Sequence, residues 1–126
     1  MMYEEPFIYK YETFKDSRGS FSPVFNEKDF SEKLGREIHF IQDNIAHNDK
    51  KFTFRGLHWQ DPPYAQAKLV RCVSGSIIDI IVDIRKGPTY GKPYLFWLSG
   101  SENQWLYVPR GFAHGYLTLI DNTDVE

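Results

Sequence analysis

The chain has 126 residues, of which 41% are hydrophobic, 17% aromatic and 25% charged, with a formal net charge of −2. A chain of this size and composition makes one domain, read here as residues 1–126, and is not disordered. The slight acidity excludes a general nucleic-acid footprint, and no apolar run reaches the ~18 residues of a membrane helix.

The segment Met1 to Phe14 has neither the basic start nor the apolar stretch of a secretory signal, so the expected location is the cytoplasm. Turn signals follow at short intervals: Ser17-Arg18-Gly19, Asp61-Pro62-Pro63, Ser74-Gly75, Lys86-Gly87-Pro88, Ser99-Gly100 and Pro109-Arg110-Gly111. Between them lie short β-rich runs such as Ile38 to Gln42, Lys68 to Val73, Ile77 to Ile84, Tyr94 to Leu98 and Tyr116 to Ile120. This spacing predicts an all-β sandwich or barrel. One short helix is expected after Asn26, a capping residue, with Asp29 near its positive end. Phe30 and Leu34 would share its buried face, and Gly35 would end it at a sheet edge. Cys72, the single cysteine, reads as a small buried hydrophobe in a reducing compartment.

Strand parity sorts the side chains into faces. Lys68, Val70 and Cys72 share one face, and Gln42 continues an apolar face begun by Ile38 and Phe40. Ile78, Ile80, Val82 and Ile84 make a fully apolar face. Asp79 and Asp83 lie opposite, with Ile77 and Ile81, where two carboxylates need partners or water.

The densest chemistry lies in Arg55-Gly56-Leu57-His58-Trp59-Gln60, in Gln66-Ala67-Lys68-Leu69-Val70 and in Pro109-Arg110-Gly111-Phe112-Ala113-His114-Gly115. His58 and Gln60 share a face of a strand. An unprotonated imidazole beside a lysine ammonium suits proton abstraction next to a carbonyl, with His58 as base and Lys68 stabilising the enolate oxygen. Arg55 can grip a phosphate or carboxylate with its two-pronged donor face. Its odd offset would turn it away from His58, but Gly56 permits a bulge that re-aims it.

The spacing resembles the cupin superfamily. Pro109, Gly111 and His114 match the second cupin motif, and Gly75 follows Lys68 after six residues as the first motif requires. Gln60 and Lys68 occupy two positions where cupins hold a metal with His and Glu. A protonated lysine repels a divalent cation and an amide is a poor ligand, so no metal is expected.

Over nearly its whole length the chain resembles the dTDP-4-dehydrorhamnose 3,5-epimerase family. The resemblance is carried by residues 14–21, Gln42-Asp43-Asn44, Arg55 to Gln60, Gln66 to Val70, residues 79–85, Pro88-Thr89-Tyr90-Gly91 and Pro109 to Gly115. It implies a cupin-like jelly-roll barrel and a homodimer with an exchanged N-terminal arm. It also implies cofactor-free epimerisation of dTDP-4-dehydro-6-deoxyglucose to dTDP-4-dehydrorhamnose. By the same resemblance His58 is the base and Lys68 serves the keto oxygen. Arg55 and Arg18 contact the diphosphate or nucleotide, Arg18 from the partner chain. Gln42, Asp43 and Asn44 line the nucleotide site, and Gln60 and His114 contact the substrate.

The chain departs from the family pattern in three places. Pro23 stands where family members carry a glutamate. The stretch from Gln42 to Arg55 is one residue longer, with His47 and Asn48 where serines are usual; His47 reads as a solvated loop residue. The sequence stops at Glu126, ahead of the segments that supply the family's proton-donating Tyr and the Asp that orients the base. Losing one positioned acid costs about 10²–10⁴ in rate, so weak binding and slow epimerisation are expected. The alternatives are a mono-epimerase on a related nucleotide sugar, a non-catalytic sugar-nucleotide-binding cupin, and a metal-dependent cupin oxidoreductase, which Gln60 and Lys68 oppose.

Overall fold

The alternation in Ser76–Asp83 builds the central strand of the molecule. In the computed structural model, which describes residues 4–62 and 64–126, Ile77, Asp79, Ile81 and Asp83 are all buried, and the residues between them are half-exposed. Met1, Met2, Tyr3 and Pro63, the last residue of the expected Asp61-Pro62-Pro63 turn, lie outside the described residues.

The strands in chain order are β1 (Phe7–Lys10), β2 (Phe14–Asp16), β3 (Gly19–Phe21), β4 (Ala46–Asn48), β5 (Phe54–His58), β6 (Lys68–Val70), β7 (Cys72–Ser74), β8 (Ser76–Asp83), β9 (Pro93–Ser99), β10 (Gln104–Val108), β11 (Phe112–Thr118) and β12 (Thr123–Val125). One helix, α1 (Glu27–Leu34), precedes β4. All pairings are antiparallel. They form a four-stranded sheet β5-β11-β8-β9, two three-stranded sheets β1-β10-β6 and β4-β12-β7, and the separate hairpin β2-β3. The three larger sheets share one apolar core, to which Val70, Ile77, Ile81, Leu98, Leu106 and Val125 contribute. Cys72 is in that core as expected, and burial pushes its thiol up to about 11.

The helix begins and ends as the sequence predicts. The Asn26 side chain accepts the Asp29 amide at 2.9 Å, and Gly35, at φ 87°, closes the last turn. It does not plug a sheet edge. Phe30 lies on the outer face of β1 and β10, with its ring centroid 5.1 Å from Tyr9 and 5.5 Å from Tyr107. Those rings, with Trp105, Phe25 and Phe40, form a second apolar cluster. The Tyr9 hydroxyl donates to Asp29 at 2.7 Å. Burial, then that carboxylate, pushes its pKa up to about 12.

Several expectations are corrected. Ile38 to Gln42 is not a strand: among the described residues it pairs with no other strand. Lys68 to Val73 is not one strand: it breaks at Arg71, and β7 pairs in a different sheet from β6. His47 is not a loop residue. It lies in β4 opposite Asp124 of β12 and is hydrogen-bonded to that carboxylate, which raises its pKa above the usual histidine value. Strand parity left open which face of β8 looks inward: the apolar face points outward, beside exposed Leu95 and Trp97 of β9, and the carboxylate-bearing face lines the interior.

Candidate active site

Two antiparallel strands place the histidines. His58 of β5 stands directly opposite His114 of β11. One step on, Gly56 and Leu57 together face Gly115, so that Arg55 stands opposite Tyr116. His114 and Tyr116 share a face of β11, and the bulge therefore brings Arg55 to the His58 side of the sheet, as the glycine at position 56 predicted. The crossing is closely packed. A Cβ on Gly56, at φ 130°, would lie 2.7 Å from the Gly115 Cα, and one on Gly115 would lie 2.6 Å from the Arg55 carbonyl.

β8 supplies the partner of His114. Asp79 lies opposite Tyr116, two pairs along from His114, and its Oδ2 is 2.8 Å from His114 Nε2. An ionised carboxylate can only accept, which puts the proton on Nε2 and leaves Nδ1 as the free ring nitrogen. The other oxygen, Asp79 Oδ1, is buried with no hydrogen-bond partner among the described residues. Lys68 of β6 is half-buried. Burial lowers its pKa, and the Asp79 carboxylate opposes that shift.

Lys68, His114, Tyr116 and the loop residues Gln42, Asp43 and Asn44 line one cavity of about 680 Å³, with apolar walls from side chains such as Phe40 and Trp105. Gln42 donates to Asn44 at 3.2 Å within that loop. Five of the nine residues expected from the sequence therefore meet at one hollow. His58, Arg55 and Gln60 do not line it. They are exposed on and just after β5, with His58 joined to the cavity wall through its pairing with His114. Arg18 is not brought to the site in this chain. It sits in the β2-β3 turn, its side chain 88% exposed and clamped to Asp16.

The sequence assigns no site role to three residues, Tyr116, Asn48 and Asp79. The Tyr116 hydroxyl bonds buried Asn48. Asn48 in turn accepts from Arg55 Nε at 2.7 Å. Asp79 carried a signal, since a carboxylate among isoleucines demands a partner; Asn48 carried none. The cavity does not suit a divalent ion: Lys68, a poor neighbour for a cation, lines it, and Asp79 engages the Nε2 of His114. Among the described residues no group of three or more His, Cys, Asp or Glu side chains is placed to hold a metal, and no helix is long and apolar enough to cross a membrane.

The family model for dTDP-4-dehydrorhamnose 3,5-epimerase matches residues 2–126. The chain belongs to that family. It is 47% identical to the dTDP-4-dehydrorhamnose 3,5-epimerase of Shigella flexneri over 118 residues, 93% of this chain and 65% of the relative. It is 43% identical to the Escherichia coli K12 epimerase over 124 residues, 98% of this chain and 66% of the relative. The chain thus spans just under two-thirds of the length of these curated relatives. Among solved structures, the Bacillus anthracis epimerase with TDP and PPi bound superimposes with a TM-score of 0.90 at 40% identity, covering 96% of this chain and 69% of that one. The Legionella pneumophila epimerase in complex with dTDP-4-keto-L-rhamnose gives 0.88 at 36% identity, covering 95% and 63%. The fold is the family's cupin-type jelly roll with one short helix, as the sequence implied.

Proposed function

We propose that this chain takes part in epimerising a dTDP-linked 4-keto-6-deoxyhexose, dTDP-4-dehydro-6-deoxyglucose, to dTDP-4-dehydrorhamnose. The observation that carries the reading is the meeting of Lys68, His114 and Gln42-Asp43-Asn44 at one cavity, with His58 paired to His114 on its wall. Family membership supports it, and so do the ligands of the Bacillus anthracis and Legionella pneumophila proteins.

The C4 ketone acidifies the hydrogens at C3 and C5. His58 takes the proton from one carbon onto a free ring nitrogen, and the electron pair moves to the C4 oxygen as an enolate. The Lys68 ammonium, held in a half-buried site, stabilises that oxygen more strongly than it would in water. Water returns a proton to the opposite face of the carbon and inverts the centre, His58 gives its proton up to solvent, and the cycle repeats at the other carbon. His114, fixed through Nε2 by Asp79, and Gln60 hold the sugar. Arg55 and the loop from Gln42 to Asn44 hold the nucleotide and its diphosphate.

The reading extends to a cytoplasmic homodimer with an exchanged arm. Two features support the dimer. Among the described residues the hairpin β2-β3 pairs with no other strand, it exposes Phe14 and Phe21, and the outer face around Leu95 (53% exposed) and Trp97 (62%) is apolar. In that dimer Arg18 reaches the partner's nucleotide site.

The experiment is incubation with the keto sugar nucleotide in deuterium oxide. Deuterium at C3 and C5 is expected. Deuterium at one carbon alone would make the chain a mono-epimerase, and dTDP binding without any incorporation would make it a binding protein.

A further inference from the structure

Arg55 is held differently from most other arginines in the molecule. Of the six arginines in the chain, four are clamped to carboxylates: Arg18 to Asp16, Arg36 to Glu4, Arg71 to Glu126 and Arg85 to Asp83. Arg55 Nε instead donates to the side-chain oxygen of Asn48 at 2.7 Å. Its Nη2 has only a long contact, 3.5 Å, with the His47 carbonyl, and its Nη1 has no protein partner among the described residues.

Asn48 is itself locked. It is 2% exposed, in β4. Its nitrogen donates to the Thr123 carbonyl at 3.1 Å and to the Tyr116 hydroxyl at 3.2 Å. The Tyr116 hydroxyl can serve either end of the amide, but the Thr123 carbonyl can only accept and Arg55 Nε can only donate, so a flip would lose both bonds and the oxygen stays turned toward Arg55. The result is a guanidinium whose plane is fixed by a neutral group. A carboxylate in the same place would fix it as well but would cancel its charge. An amide orients it and leaves the positive charge and the outer donors for an incoming anion.

We propose that Asn48 is a positioning residue that presents Arg55, charged and pre-oriented, to the diphosphate of the nucleotide. The proposal deepens the epimerase reading and rests on it for the identity of the anion.

Calorimetry with dTDP and with inorganic pyrophosphate tests it. The intact chain should bind both. Asn48→Ala should weaken each by about tenfold, the loss expected when a hydrogen bond to a charged group is removed. Asn48→Asp, which keeps the shape and the bond to Nε, should weaken them at least as much, because its carboxylate neutralises Arg55 and repels the anion. In an Arg55→Ala background Asn48→Ala should have no further effect on dTDP affinity, since Asn48 acts through the arginine.

Unchanged affinity in both Asn48 variants overturns the proposal. So does an additive loss in the double variant, which is what a purely structural role would give, and so does failure of the intact chain to bind either anion. If Asn48→Ala does not fold, Asn48→Asp decides alone. Binding of both anions without deuterium incorporation would remove the epimerase reading and leave this one standing. Incorporation with unaffected Asn48 variants would do the reverse.

Discussion

The hydrogen bond of 2.8 Å between His114 Nε2 and Asp79 Oδ2 joins neighbouring strands inside the sheet and sets which ring nitrogen stays available. Asp79 is wholly buried and its second oxygen has no partner among the described residues, so none of them competes for it with the ring. Asp79→Asn keeps the shape but offers an NH2 group to Nε2, which moves the proton to Nδ1. Imidazole 15N spectra should show Nε2–H in the parent and Nδ1–H in the variant. Deuterium incorporation at C3 should slow by about 10- to 100-fold, the usual effect of losing such a supporting partner.

Lys68 gives a pH dependence with a defined sign. Burial holds its pKa below the usual lysine range. Exchange that needs the ammonium should therefore fall as pH rises through that lowered value, earlier than for an exposed lysine. Stability runs the other way. Between the folded and unfolded pKa values the unfolded chain keeps the proton and the folded one does not, so this group's contribution to stability rises with pH. Lys68→Met should remove the alkaline limb of the exchange profile, measured from pH 7 upward, while leaving dTDP affinity largely intact.

Gly115 is where β5 and β11 come closest, and a methyl group there meets the Arg55 carbonyl. Gly115→Ala should destabilise the fold by about 1–3 kcal/mol in urea unfolding, the range for overpacking. It should also lower exchange more than the stability loss explains, because relieving the clash moves His58 away from His114.

Phe30 anchors the helix against Tyr9 and Tyr107 and packs, tilted and edge-on, against Phe25 and Phe40, which wall the cavity. Phe30→Ala should cost about 3–5 kcal/mol in the same unfolding experiment. A loss under about 1 kcal/mol would show that the helix is not packed as described.

How far the sequence could be read follows from where each signal resides. Asn26 and Gly35 act within a turn of their own helix, so both ends of α1 were legible. Gly56 announced the bulge because only a residue without a side chain tolerates that approach to the next strand. The alternation in β8 announced a strand but not which face looks inward. The more apolar face points outward, and the interior takes Asp79 and Asp83 because His114 and Arg85 are there to receive them. Ile38 to Gln42 has a strand's alternation but no neighbouring strand, and pairing is not a local property. Asn48 was illegible for the same reason. Its burial depends on Thr123, far along the chain, arriving opposite it in β12.

Deuterium incorporation by the parent chain and by His58→Asn, run side by side on dTDP-4-dehydro-6-deoxyglucose, is the most direct test of the central claim that an imidazole on β5 removes a ketone-activated proton beside a half-buried lysine. The parent should label C3 and C5, and the variant, with an unchanged fold by circular dichroism, should label neither. Labelling that survives the substitution, or none by the parent, would contradict the account.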